Sequence, residues 1–146
     1  MSAAPQTTQV YSVFIRATPE QIWEAITSPE MTVRYFHGVR IEVRDGRRFS
    51  VVEGGTSWDE EVLELDPPRR FVHRWISAYD DEMAEEEPSR VTWEIEPQGD
   101  GTTLLTVTHD RLEGAPKTAR GVCGTGWMHV LSGLKTLLET GTPLSG

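Results

Sequence analysis

The sequence predicts an α+β fold: a curved antiparallel sheet of about six to seven strands packed against one long C-terminal helix. Two short helices are expected after the first strand. Three observations carry this reading. A lone β-type run, Val10 to Ala17, precedes a strong helix-start signal. Strand-like alternation punctuated by turn residues then continues from about Val39 to His109. Finally, Trp127, Leu131, Leu134 and Leu138 recur at i, i+4, i+7 and i+11, the spacing of one helix face.

Each element has a local cause. VYSVFIRA is rich in β-branched and aromatic residues and reads as a strand. Thr18-Pro19-Glu20-Gln21 is a capping box with proline at the first helical position. The helix it opens presents Ile22, Trp23, Ala25 and Ile26 to the core and stops at Ser28-Pro29, because the residue before proline avoids helical geometry. A second short helix is expected over Glu30 to Phe36, with Gly38 ending it. Asp45-Gly46 between IEV and RFSVV signals a hairpin, and Gly54-Gly55 separates that strand from the next, Ser57 to Leu65. Asp66-Pro67-Pro68 forces a turn. Phe71, His73 and Trp75 alternate on the following strand, Val91, Trp93 and Ile95 on another, and Leu105, Val107 and His109 on the last. The final helix runs from about Cys123 to Thr140, widened by Val130 and Leu137, and Gly141 and Pro143 end it.

Length and composition set the outer bounds. At 146 residues the chain has room for one core, and 37% hydrophobic with 25% charged residues suits a folded protein. The division expected is one domain over residues 9–144 with a flexible tail at 1–8. A net charge of −9 repels phosphate backbones and anionic membranes, so neither nucleic acid nor a membrane surface is an expected partner. With one cysteine, Cys123, no internal disulfide can form. No signal peptide or membrane span is visible, and the chain reads as cytoplasmic.

Candidate chemistry is sparse. The four histidines, His37, His73, His109 and His129, show no metal-binding spacing on a helix, and no metal or cofactor is assigned. His73 and His109 share the alternation of inward-facing neighbours, as satisfied core histidines or as polar anchors in a cavity. Cys123 stands near a helix N-terminus, where a thiolate is stabilised, but no adjacent base can be argued and it reads as inert. Gly121-Val122-Cys123-Gly124-Thr125-Gly126 lacks the order and the lysine of a phosphate loop; its glycines suggest a close approach of the chain to the sheet. Of Asp59, Glu60 and Glu61, at least one points outward, and nothing selects one for acid–base work. The run Asp80 to Glu87 reads as a solvated loop rather than a cation or partner site. No catalytic residue is assigned.

The stretches RATPEQIWEAITSPE, LELDPPRRFVHRW, SRVTWEIEPQGDGTTLLTVTHD and GWMHVLSGLKTLLETGTPL, in this order, resemble the START-like (SRPBCC) superfamily. Within it they resemble the branch named after the activator of the heat-shock-protein-90 ATPase, over about Val10 to Leu144. The resemblance implies a helix-grip fold, in which the sheet wraps the last helix around a hydrophobic cavity. It also implies binding of a small hydrophobic molecule there. On that expectation Tyr35, Phe36, Trp58, His73, Trp75, Trp93, His109, Trp127, Leu131 and Leu134 contribute to the cavity wall, the aromatics giving contact area and the histidines or Tyr35 orienting a polar group. Against it stands a core in which the same residues simply interlock. Two other readings follow from the resemblance. One is a chaperone-linked interaction protein that uses the acidic run, with a chaperone or a second copy of the chain as partner. The other is a cyclase or hydrolase acting through His73 or His109.

Overall fold

The structure, a computed structural model, describes residues 7–144 apart from 79, 123 and 124. Cys123 and the first six residues of the expected tail therefore lie outside the described residues. Strand β1 (Gln9–Ile15) leads into helices α1 (Pro19–Thr27) and α2 (Pro29–Thr32). Six strands follow: β2 (Val39–Arg44), β3 (Arg47–Val52), β4 (Ser57–Asp66), β5 (Arg70–Trp75), β6 (Ser89–Pro97) and β7 (Thr103–Asp110). A short helix α3 (Asp81–Ala84) separates β5 from β6, and α4 (Pro116–Val122) and α5 (Thr125–Thr140) close the chain. The seven strands lie in the order β1-β7-β6-β5-β4-β3-β2, and every neighbouring pair is antiparallel. The first strand thus pairs with the last. α1 and α2 carry the chain from that edge to the other, where β2 starts the meander.

Local chemistry fixes most of these elements. Thr18 Oγ1 accepts the Gln21 backbone N–H at 3.1 Å and Gln21 Oε1 accepts that of Thr18 at 2.8 Å, so the capping box forms as the sequence predicts. Asp45 and Gly46 both adopt positive φ, 53° and 74°, the geometry of a two-residue hairpin whose twist matches the strands it joins. Between β4 and β5 the register shifts at Val62 to Glu64, a bulge that bends the sheet. The inner face then packs against α5, which buries Trp127, Val130, Leu131, Leu134 and Leu137. Glu139 accepts the backbone N–H of Arg16 at 2.8 Å and Lys135 donates to the Phe14 carbonyl at 2.7 Å, tying the same helix to β1.

Four local expectations differ from what is found. The second helix stops at Thr32 rather than Phe36. Its last residue is pinned to β2, since Thr32 Oγ1 donates to the Val39 carbonyl at 2.9 Å and accepts from Ile41 N–H at 2.8 Å, and the chain must turn to reach that strand. Helix α4 stands where no helix was expected. Its cap is supplied from far away: Glu86 accepts the backbone N–H groups of Lys117 at 2.7 Å and Thr118 at 2.9 Å. The acidic run is accordingly not a plain solvated loop. Asp80 caps α3, Glu82 pairs with Lys117 at 2.6 Å, and Glu86 holds the start of α4. Lastly, Gly121 and Gly126 do not meet the sheet, and Gly124 lies outside the described residues. A Cβ on Gly121 would lie 3.0 Å from Met83 of α3, and one on Gly126 would lie 3.1 Å from the Gly121 carbonyl. They let α3, α4 and α5 approach one another.

Two stability predictions follow from this packing. Trp127, 2% exposed, packs against Phe36, Trp75, Trp93 and His109, so Trp127→Ala should lower unfolding stability by about 3–5 kcal/mol in urea titrations. Glu86→Ala removes a charged helix cap and should cost about 0.5–2 kcal/mol, with amide exchange rising first in residues 117–122.

Candidate functional site

A cavity of about 280 Å³ lies between the β2–β4 half of the sheet and the junction of α4 with α5. Strand alternation builds its floor. Val39 and Ile41 face it from β2, Arg48 and Ser50 from β3, and Trp58 and Glu60 from β4, while Trp75 and Ile76 close the side. Gly121, Val122, Gly126, Trp127 and Val130 form the helical roof, and Phe36 and His37 complete the wall. His37, itself at a positive φ of 52°, is exposed and stacks on the exposed His129 of α5, ring centroids 5.4 Å apart. Burial, then the neighbouring His129, hold the His37 pKa below its ordinary value.

Set into this largely apolar wall is a charged pair. Arg48 and Glu60 are cross-strand partners in the β3–β4 register, and both side chains are almost completely buried. Arg48 Nη1 donates to Glu60 Oε1 at 2.7 Å, and Glu60 Oε2 accepts the backbone N–H of Ile76 at 2.8 Å. Burial pushes the Glu60 carboxyl above the usual carboxylate range, and the Arg48 charge and the Ile76 hydrogen bond pull it back. The guanidinium also sits 5.5 Å from the ring centres of both Phe36 and Trp75, a contact that offsets part of its desolvation. Three buried polar atoms in this region have no hydrogen-bond partner: Arg48 Nε, Ser50 Oγ and Trp58 Nε1. The Trp58 N–H does lie near enough to Glu60 to favour its charged form, without good hydrogen-bond geometry.

Of the ten residues expected in the wall, Phe36, Trp58, Trp75 and Trp127 line the cavity. The other six lie in the packed core. Leu131 and Leu134 are buried on α5, and the Tyr35 hydroxyl donates to the Ala25 carbonyl at 2.5 Å, burial raising its pKa. Trp93 Nε1 donates to His73 Nε2 at 3.0 Å, so the His73 proton must be on Nδ1, which donates to the Arg74 carbonyl at 2.8 Å. His109 has the opposite tautomer. Its Nδ1 accepts from Trp127 Nε1 at 3.1 Å, so Nε2 carries the proton and donates to Ser89 Oγ at 2.7 Å. Both rings are neutral with both nitrogens engaged. Sequence reasoning missed Arg48 and Ser50, and weighed Glu60 with Asp59 and Glu61 without selecting it. The signal was available for Glu60, because it stands two residues from Trp58 and shares its face. Asp59 and Glu61, on the other face, pair with Arg47 and Arg74. Among the described residues, no group of three His, Cys, Asp or Glu side chains is placed to hold a metal ion.

Residues 16–139 match the family described as "Activator of Hsp90 ATPase homolog 1-like protein". The chain belongs to that family. No curated protein sequence matches it. Among solved structures, protein MLL2253 from Mesorhizobium loti is 26% identical with a TM-score of 0.73, covering 90% of this chain and 96% of its own. PFC0360w, an HSP90 activator from Plasmodium falciparum, is 21% identical with a TM-score of 0.72, covering 92% and 97%. The Aha1 dimer from Colwellia psychrerythraea is 19% identical with a TM-score of 0.71, covering 93% and 98%. The last two likenesses establish the fold alone. Together with the family match they place the chain in the START-like, helix-grip architecture. No helix among the described residues is long and apolar enough to cross a membrane.

The histidine assignment sets a pH dependence. Burial pushes the His109 pKa down to about 4 and that of His73 well below its ordinary value. Unfolding returns both to about 6.5, so the unfolded chain takes up protons that the fold refuses. Their contribution is complete above about pH 6.5 and is lost as the pH falls toward the folded values. Glu60, lifted by burial, acts in the opposite sense, so the comparison needs a reference. His109→Gln keeps an acceptor and a donor but cannot titrate. Between about pH 7 and pH 5 the wild-type unfolding free energy from urea titrations should fall more steeply than that of the variant, by up to roughly 1.4 kcal/mol per pH unit. Parallel profiles would show that His109 is not held neutral.

Proposed function

We propose that the protein binds a small, largely apolar molecule in the cavity beneath α4 and α5. The observation that carries this reading is the hollow itself. Close packing normally closes the seam between helix and sheet, and here a partly open cleft of about 280 Å³ is left between them, with apolar walls. Small-molecule sites are commonly clefts of about 300–1,000 Å³ with mostly apolar walls and a few placed polar groups. The cavity falls just below that range, which suits a compact guest. Phe36, Trp58, Trp75 and Trp127 offer it flat, rigid contact area. The same wall carries a small set of inward-facing polar groups that can orient it.

Native mass spectrometry of gently purified protein, followed by titration with the uncharged fluorophore N-phenylnaphthylamine, tests this. Saturable fluorescence enhancement is expected, and Val130→Phe, which fills the cavity from α5, should weaken it at least about tenfold. If neither a bound species nor saturable uptake is found, the reading fails.

A second reading, action on a chaperone, draws on the family description and on the role printed for the Plasmodium protein. Its contact surface would be the acidic segment from Asp80 to Glu87. Glu86 is committed to capping α4, so the informative substitutions are at exposed Glu85 and Glu87. Co-purification of heat-shock protein 90, lost in Glu85→Gln with Glu87→Gln but retained in Val130→Phe, would favour this reading over the first.

A further inference from the structure

The polar part of the cavity wall has a definite chemical sense. Arg48 Nε and Trp58 Nε1 can only donate hydrogen bonds, and the Ser50 hydroxyl is the third buried group without a partner. Arg48 and Ser50 are 2% and 1% exposed and stand two residues apart on one face of β3. Their spacing along the strand is therefore about 6.6 Å. Trp58 is paired with Ser50 across the sheet, so the three groups form a patch rather than isolated defects. Leaving a buried donor unpaired is costly, and the group that relieves such a patch must bring acceptors. Buried native donors of this kind are uncommon, and here the three residues that carry them all line one cavity.

Charge selects among acceptors. The Arg48 guanidinium is already neutralised by Glu60 at 2.7 Å. A carboxylate or phosphate beside it would add an uncompensated negative charge within a buried site, next to a second carboxylate. A carbonyl, ether or hydroxyl oxygen accepts the same hydrogen bonds without that penalty. Resting on the reading that the cavity binds an apolar molecule, we propose that its ligand is an uncharged, oxygen-bearing compound. An apolar body lies against the aromatic wall, and a carbonyl-type oxygen accepts hydrogen bonds from the patch of Arg48, Ser50 and Trp58.

Three probes on one ring skeleton test this: naphthyl methyl ketone, ethylnaphthalene and naphthoate, titrated into the full chain at neutral pH. The ketone should bind about tenfold tighter than the hydrocarbon of the same shape, and tighter than the acid. Ser50→Ala is the decisive variant, because it removes a hydroxyl that has no partner to lose. Its unliganded melting temperature should equal or exceed that of the wild type, while the preference for ketone over hydrocarbon falls severalfold. Ketone and hydrocarbon binding equally well would overturn the inference and leave the binding function standing. Tighter binding of naphthoate would overturn the choice of an uncharged ligand. A preference unchanged in Ser50→Ala would remove Ser50 from the site. If none of the three binds, the binding function and this inference fall together.

Discussion

The cavity depends on one buried ion pair. Arg48 and Glu60 face each other across β3 and β4, almost fully shielded from water, in a largely apolar wall. Neither charge could remain there alone. Removing one partner of a buried pair strands the other at a cost of about 3–5 kcal/mol, whereas replacing both by apolar side chains is often neutral or favourable. The pair is therefore poor evidence for stability as such, but it strongly constrains geometry. A one-residue slip of β3 against β4 would turn Arg48 or Glu60 to the outer face and leave its partner buried and unpaired. Through the Ile76 N–H, Glu60 also joins the end of β5 to the same point. Three strands are thus fixed around the hollow by a single carboxylate.

The other half of the interior solves the polar problem differently. Around β5, β6 and β7, tryptophan N–H groups donate to His73 and His109, and each ring donates its own N–H to a carbonyl or hydroxyl. Every donor there has an acceptor, and the rings interlock edge to face. The inner face of β2 and β3 offers Ile41 and the short Ser50 instead, and the roof above it passes through Gly121 and Gly126. Small residues on both sides leave space. The hollow is thus displaced from the aromatic core, which explains why a tryptophan on β4 faces it and one on β6 does not.

The same contrast separates what was legible in the sequence from what was not. Elements with local causes were readable: the capping box at Thr18, the Asp45-Gly46 hairpin, and the stripe of Trp127, Leu131 and Leu134. Helix α4 was not, because its cap is Glu86, 31 residues before Lys117 in the chain. Arg48 went unremarked and Glu60 could not be told from Asp59 and Glu61, because only the mutual register of Arg48 and Glu60, a long-range fact, makes their burial tolerable. His73, Trp93 and His109 could be recognised as inward-facing. Alternation gives a residue's side of the sheet but not whether the space before it is filled.

The roof brings the acidic run and the cavity into one argument. Gly121 and Val122 of α4 line the hollow, and α4 is held at its start by Glu86, with Lys117 fixed by Glu82. Hydrogen bonds from Lys117 N–H and Thr118 outweigh the cost of desolvation and keep the Glu86 carboxyl below its ordinary pKa, so the clamp is charged at neutral pH. The chain as a whole carries a net charge of −9. Such a field disfavours anions before they reach the wall, and leaves neutral molecules unaffected. Inside, Glu60 cancels the only buried arginine of the wall. Outside and inside therefore select in the same direction, against a second negative charge and for a guest that carries its polarity as dipoles.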